Sequence, residues 1–388
     1  MIRIVHIITD LNTGGAEMML YRLLSGMDRA RFENQVVSLI HPGVVGDKIK
    51  SLGIPIYSLN MQPGRPTFRG LLRLVRQLRR ERPDIVQTWL YHADLLGLLA
   101  ARLVKTRVVV WNILASNIDM SRYRRLSKWT LRVCALLSGW PEAVVVNSLA
   151  GKDFHNRLGF HPRRWVLIPS SVDTDQFKPD PAARSALRQE LGLSSETILI
   201  GLIARFDPMK DHENLLTAAG KLSLAFPDIH FILAGTGVTA DNLQLSRLIE
   251  REKLTGRVHL LGFRQDIPGL TSALDIATSS SYGEGLQTTI VEAMACGVPC
   301  VVTDVGDSAY LVGETGVVVP PRDALTLANG WTRLIGAGRA GRRALGQAAR
   351  QRIQDHFNLG RIVGQYEQLY DNLSSASIHP INTEVDLL

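Results

Sequence analysis

Cysteine is nearly missing from this chain. Cys134, Cys296 and Cys300 are the only three in 388 residues, and they pair neither as a disulfide framework nor as a metal knuckle. A disulfide-stapled secreted domain and a structural zinc module are thereby excluded. Long apolar runs are missing too: none approaches the ~20 residues a membrane-crossing helix needs. Met1 leads straight into a strand-like IRIVHII with no signal-peptide pattern. The default expectation is a reduced, cytosolic protein. Acidic residues are scarce over residues 61–140, which hold four Asp or Glu against fifteen Lys or Arg. The chain as a whole carries a net charge of +8, so the remainder is slightly acidic. Such asymmetry points to an anionic partner for the first half, or to helix faces that are simply solvated.

The length suffices for two domains with separate cores, and 45% hydrophobic with 21% charged residues is a globular composition. Residues 2–8 read as a buried strand, followed by the loop TDLNTGG and a helix. Gly14 and Gly15 stand where a glycine turn lets an anion approach a helix start. They lack the third glycine of the dinucleotide fingerprint, and a plain turn explains them equally well. Further apolar runs at 35–40, 54–59, 84–89, 107–112 and 143–148 alternate with helical segments. Strands apolar on both faces, alternating with helices, predict a parallel sheet covered on each side. Ligands bind beyond the carboxyl ends of such strands, which puts Gly14, Gly15, His92 and Asn112 on one rim. The positive charge concentrates on two helices, 69–83 and 121–139. In the second, Leu126, Trp129, Thr130, Val133, Leu136 and Leu137 form a stripe expected to pack mostly on the sheet. Arg122, Arg125, Lys128 and Arg132 lie largely elsewhere and are free to meet anionic lipid.

A hinge is expected near residues 170–195. A second alternating set follows, with strands at 197–204, 229–235, 257–262, 274–280, 300–303 and 316–320. The architecture therefore repeats, with a ligand cleft expected between sheets whose strand ends face each other. Asp173-Thr174-Asp175 resembles an oxygen-donor metal motif but also suits a capped turn. Arg205 and Lys210 stand on a loop between strand and helix, where two cations suit a diphosphate or pair with Asp207 and Asp211. Gly235 and Gly237 form another turn.

The most informative stretch is SYGEGLQTTIVEAMACGVPC, residues 281–300. Glu284 sits in a glycine-flanked loop, an apolar helix is expected over 286–296, and Glu292 is its lone charge. A glycosidase needs its two carboxylates roughly 5–9.5 Å apart, whereas eight helical residues span about 12 Å. Two handles on one ligand fit better than two faces of one bond. Glu292 would accept from ribose hydroxyls and Glu284 would hold a sugar. A diphosphate between them would rest on the N–H groups of Leu286, Gln287 and Thr288, after Gly285.

With these residues in hand, the chain resembles the retaining glycosyltransferases of family 4, which have the GT-B fold. The resemblance runs over about residues 1–375. It rests on Gly14-Gly15, Asn147-Ser148, IPSSVDTDQF, the Arg205/Lys210 pair, AGTG, LGFRQDIPGL, the Glu284-to-Glu292 signature and ETGVVVPPRD. It implies two Rossmann-like domains and metal-independent transfer of a hexose from a nucleotide sugar with retained configuration. It further implies that Gly262 and Phe263 lie near the base, and that the last helix crosses back onto the first domain. Pro169-Ser170-Ser171 departs from the family's usual Pro-Asn-Gly. Asn112 stands where many members carry a His, leaving His92 or Asn112 to approach the reacting sugar.

The expectation is an α/β chain with an acceptor-side domain (1–175), a donor domain (176–355), a returning helix (356–375) and a loose tail (376–388). The function expected is glycosyl transfer to a glycan or lipid-linked acceptor in surface polysaccharide assembly, on the cytoplasmic side and peripheral to a membrane. No cofactor and no metal are expected. A dinucleotide-dependent oxidoreductase is disfavoured by the missing third glycine. No nucleic acid is expected as partner, because no aromatic–basic interleaving accompanies the charge. A phosphorylase-like reaction on the same fold is the remaining alternative.

Overall fold

The computed structural model describes residues 1–12, 14–62, 67–114 and 125–375. The start of the second basic stretch, with Arg122, and the tail 376–388 lie outside the described residues, and Arg125 is described in backbone only. The chain divides into two units, residues 1–171 with 359–388, and residues 172–358.

The first unit runs β1 (Ile2–Ile8), α1 (Gly15–Gly26), β2 (Phe32–Ser38), α2 (Gly43–Ser51), β3 (Ile56–Ser58), α3 (Phe68–Glu81), β4 (Ile85–Trp89), α4 (Tyr91–Val104), β5 (Val108–Ile113), α5 (Arg125–Leu137), β6 (Ala143–Val146), α6 (Leu149–Arg157) and β7 (Trp165–Leu167). Its seven strands are all parallel in the order β3-β2-β1-β4-β5-β6-β7. Runs such as VVVWNI and AVVV are buried at every position, as a sheet covered on both faces demands. β7 was not expected: three half-buried residues at a sheet edge carry too short a pattern.

The second unit runs α7 (Pro181–Glu190), β8 (Ile198–Ile203), α8 (His212–Ser223), β9 (Ile229–Ala234), α9 (Leu243–Arg251), β10 (Val258–Leu260), α10 (Ile267–Ser272), β11 (Ile276–Ser279), α11 (Thr288–Ala295), β12 (Cys300–Thr303), α12 (Ser308–Val312), β13 (Val317–Val319), α13 (Ala324–Gly336) and α14 (Gly338–His356). Its six parallel strands are ordered β10-β9-β8-β11-β12-β13. The expected hinge region thus contains α7, whose N-cap Asp180 accepts from the N–H groups of Ala182 and Ala183.

The last helix, α15 (Leu359–Ser374), belongs to the first unit. It shares one face of the first sheet with α1 and α2, burying Ile362, Tyr366 and Tyr370 in their core. The sheet presents a polar row to it. Tyr370 Oη donates to Gln87 Oε1, and Asn112 Nδ2 donates to Tyr366 Oη at 2.8 Å. This corrects one site assignment: Asn112 is fully buried and spends its amide on the returning helix, out of reach of a ligand.

α3, α4 and α5 cover the opposite face of that sheet. Here an expectation fails at two positions of the α5 stripe. Thr130, Leu131, Cys134 and Ala135 pack inward, while Trp129 (59% exposed) and Leu136 (82% exposed) face away from the sheet. Leu131 and Leu136 are the same size, so position around the helix, not bulk, separates the inward residues from the outward ones.

Candidate active site

In each sheet the strand order reverses once, between β1 and β4 in the first and between β8 and β11 in the second. These reversals are where adjacent loops diverge and leave room for a ligand. Gly14 and Gly15 follow β1, His92 follows β4, Arg205 and Lys210 follow β8, and Glu284 follows β11.

The loop after β8 is held by its neighbours. Ala204 N–H donates to Ala234 O and Phe206 N–H to Thr236 O, both at 2.8 Å. The approach is so close that a Cβ on Gly235 would lie 2.2 Å from Ala204 O, at a φ of +148°. The AGTG turn, uninformative alone, is what fixes the backbone at Arg205. Asp207 Oδ1 then accepts from Met209 N–H at 2.9 Å and starts a 3-10 turn, Pro208–Lys210. Arg205 is two-thirds exposed and pairs with Asp207 at 3.3 Å.

Lys210 points at the other side of the reversal. Its Nζ forms an ion pair with Glu284 Oε1, which also accepts from Ser281 Oγ at 2.6 Å. Ser280 Oγ donates to Lys210 O at 2.7 Å, and Tyr282 N–H to Met209 O at 3.0 Å, so the two loops move as one. The Ser279–Ser281 run was read as strand end only, yet its hydroxyls orient the glutamate and the lysine.

A third loop braces Glu284 from behind. Gly306 has φ +60°, and a Cβ there would sit 2.3 Å from Gly285 O. Asp307 N–H donates to Gly285 O at 2.9 Å, and Gln287 Nε2 to Ser308 Oγ at 3.0 Å. Neither Gly306 nor Ser308 was singled out from sequence. Their role depends on β12 lying beside β11, which no local pattern announces.

α11 starts at Thr288, two residues later than expected, with Gln287 at the N-cap and Leu286 drawn into the core. Gln287 does not cap the helix with its side chain. The N–H groups of Thr288 and Thr289 find no acceptor among the described residues. An uncapped helix start, with Lys210 held nearby on Glu284, is suited to an anion. Glu292 is buried one turn further on. Gly262 (φ +63°) turns the chain after β10, and Phe263 beyond it is 59% exposed. A further cation, Arg322, lies over the Tyr282 ring at 4.1 Å. Asp173 Oδ1 accepts from the N–H groups of Asp175 and Gln176, at 2.9 and 3.1 Å, and so caps a turn.

In the first unit, Gly14 is the N-cap of α1 and Gly15 its first residue. The Glu17 carboxyl folds against Gly14, where a Cβ would lie 2.3 Å from it. Burial, together with the nearby charge of Asp10, raises that carboxyl to a pKa of about 7. His92 is half-buried in the first turn of α4, and burial lowers its pKa below the ordinary value, so it is a neutral imidazole near pH 7. Its backbone is pinned on both sides. Leu90 holds a strained φ of 71°, with its N–H donating to Asn112 O at 3.3 Å. Tyr91 Oη lies 2.6 Å from His155 Nε2, and His155 Nδ1 lies 2.7 Å from Gly151 O. That carbonyl can only accept, so Nδ1 carries the proton and Nε2 accepts from Tyr91.

Taken as chemistry, the second unit offers two cations and a free helix start, flanked by carboxylates able to accept from hydroxyls. The fold is that of GT-B enzymes. It matches the crystal structure of Anabaena HepE in complex with UDP at a TM-score of 0.84 and 24% identity, over 96% of this chain and 100% of that one. Residues 13–176 match the family described as Glycosyltransferase Family 4, and residues 197–337 match Glycosyl transferases group 1. An Escherichia coli UDP-Gal:alpha-D-GlcNAc-diphosphoundecaprenol alpha-1,3-galactosyltransferase is 24% identical over 84% of each chain. The putative glycosyltransferase EpsF of Bacillus subtilis is 25% identical over 78% of this chain and 79% of its own. The chain belongs to the group 1, family 4 glycosyltransferases.

Proposed function

We propose that this enzyme moves a hexose from a nucleoside-diphosphate sugar to a lipid-linked glycan acceptor, with retained configuration and without a metal ion. The observation that carries the donor side is the Lys210–Glu284 pair set at the uncapped start of α11. Glu284 pairs with Lys210; with donor bound, Lys210 and Arg205 turn to the diphosphate, and Glu284 to the sugar hydroxyls. The Thr288 and Thr289 amides neutralise charge on the departing diphosphate, a task otherwise left to a metal. Glu292 accepts from the ribose, and Gly262 and Phe263 border the base. Gly15, where a Cβ would meet nothing within 4 Å, leaves the backbone open to phosphate beside Gly14, and His92, a neutral imidazole, takes a hydrogen bond from the acceptor hydroxyl. UDP in the HepE structure and the diphosphoundecaprenol-linked substrate named for the E. coli relative support a UDP-sugar donor and a polyprenol-type acceptor. Work on such an acceptor fits surface polysaccharide assembly at the cytoplasmic face of a membrane, with the basic stretches 69–83 and 121–139 toward the lipid.

The test is a panel of nucleotide sugars scored for thermal stabilisation and for slow hydrolysis, with and without chelator. Stabilisation by UDP-hexoses with chelator-insensitive turnover is expected. Full loss on chelation would overturn the metal-free reading, and phosphate acting as acceptor would favour the phosphorylase-like one.

A further inference from the structure

Arg322 holds a backbone conformation that arginine does not favour. Its φ is +59°, and Pro321 precedes it. In a tight turn with proline one place earlier, a residue in the left-handed region is ordinarily glycine or asparagine. Arg82 and Lys105 also have positive φ, but they cap the C-termini of α3 and α4, and Lys253 follows the C-cap of α9. A left-handed residue is routine at those places. Arg322 ends no helix; it lies between β13 and α13, whose N-cap is Asp323. A strained arginine there calls for a contact that holds it.

That contact is the Tyr282 ring. The exposed guanidinium lies 4.1 Å from the ring centroid and takes part in no ion pair or hydrogen bond among the described residues. β13 stands two strands away from β11 in the sheet, so the side chain reaches past β12 to the loop after β11. Its charge is also felt at Asp211, the N-cap of α8. Burial raises that carboxyl, and the Asn214 N–H and then Arg322 oppose the rise. One side chain from the β13 end thus acts on both sides of the β8–β11 reversal.

Tyr282 is well placed to pass that hold on. Its N–H donates to Met209 O at 3.0 Å, and the hydroxyl of its neighbour Ser281 donates to Glu284. Gly283 and Gly285 flank Glu284 and leave its backbone little stiffness of its own. The Tyr282 hydroxyl makes no hydrogen bond among the described residues, so the cation on the ring face is the side chain's polar contact.

We propose that Arg322 is a positioning residue: its guanidinium clamps Tyr282 and thereby holds Glu284 where the donor's hexose binds. The clamp stands on the geometry of the second unit alone; its purpose rests on the donor reading above. The turn gives up stability at Arg322, and a glycine-flanked glutamate is fixed in return.

The experiment compares Arg322→Gly, Tyr282→Leu, Tyr282→Phe and the double variant Arg322→Gly/Tyr282→Leu with wild type, all full-length. Glycine relaxes the turn, so Arg322→Gly should melt at the wild-type temperature or above it. Its hydrolysis of UDP-glucose or UDP-galactose should nonetheless fall roughly tenfold in kcat/KM, while UDP, which lacks the hexose, binds as before. Tyr282→Phe keeps a ring face for the cation and should match wild type. Tyr282→Leu should lose as much as Arg322→Gly, and the double variant no more than either. Hydrogen exchange over residues 280–287 should quicken in Arg322→Gly and Tyr282→Leu, with β12 unchanged. A melting temperature that falls together with activity would make Arg322 merely structural. UDP weakened as much as the UDP-hexose would make it a direct diphosphate contact, and additive losses would separate it from Tyr282. Each of these overturns the proposal, as would turnover or exchange at the wild-type value in Arg322→Gly. Quickened exchange in a protein that turns over no nucleotide sugar would instead count against the donor reading and leave the clamp standing.

Discussion

Glu284 and Lys210 are separated by 74 positions in sequence and joined in the fold. Their pairing makes the two variants unequal. Glu284→Ala removes the sugar handle but frees Lys210, so UDP should bind as well as before or more tightly, while transfer falls by roughly 10²-fold. On the proposed donor reading Lys210→Ala loses a charge-assisted contact to the diphosphate, so UDP binding should weaken by roughly ten- to a hundredfold along with turnover. Calorimetric titration with UDP beside initial rates checks both, and unchanged turnover in Glu284→Ala would end the assignment. Asp94 makes a separate prediction at this scale. It is fully buried with Thr88 Oγ1 donating to it at 2.5 Å, and burial, opposed by that hydrogen bond, raises its pKa to about 7. The folded state therefore holds this proton more tightly than the unfolded chain, where the value is about 3.8. Stability from the protonated form is complete below about pH 4 and is lost as pH rises through 7. Asp94→Asn should thus be progressively more stable than wild type across that window, by a few kcal/mol (about 1.4 per pH unit at most) at pH 8. Urea melts at a series of pH values will show it; parallel curves for the two proteins would refute it.

Among the elements, α15 carries the clearest consequences. Its tyrosines meet polar side chains that lie in the middle of hydrophobic strands, Gln87 on β4 and Asn112 on β5. Gln87 Nε2 and Asn112 Oδ1 find no hydrogen-bond partner among the described residues, so each amide depends on its tyrosine through its other atom. Tyr370→Phe should leave Gln87 without any partner and cost about 1–3 kcal/mol. Adding Gln87→Leu should recover part of that loss, because a buried polar group is worse than an apolar pair of similar shape. A denaturation midpoint that does not move in Tyr370→Phe would show that the row is ornamental. α5 teaches the complementary lesson: periodicity identified its apolar stripe, but the face turned inward, with Thr130, Leu131, Cys134 and Ala135, was decided by how the helix packs with α4 and the sheet.

For the molecule as a whole, the first unit is discontinuous in sequence and the second is not. Deleting residues 359–388 removes Ile362, Tyr366, Leu369 and Tyr370 from the core above β1 and β4. Each large side chain contributes about 1.5–3 kcal/mol of burial, and a domain's whole margin is about 5–15 kcal/mol. The first unit should therefore not fold in the truncated chain, while a fragment near 172–358 should resist limited proteolysis; two protected fragments would contradict this. The sequence by itself determined the parallel α/β architecture, because buried strands and covering helices each have a legible period. It also singled out the residues proposed here for the site, Gly14, His92, Arg205, Lys210 and Glu284 after strands and Glu292 within α11, since glycine turns and lone charges beside apolar runs stand out locally. Only the tertiary structure decided that Asn112 anchors α15, that Ser281 and Gly306 brace Glu284, and that Trp129 and Leu136 face outward. Those outcomes depend on which strands become neighbours and which helix face fits most closely, and contacts between distant segments leave no periodic trace in either one.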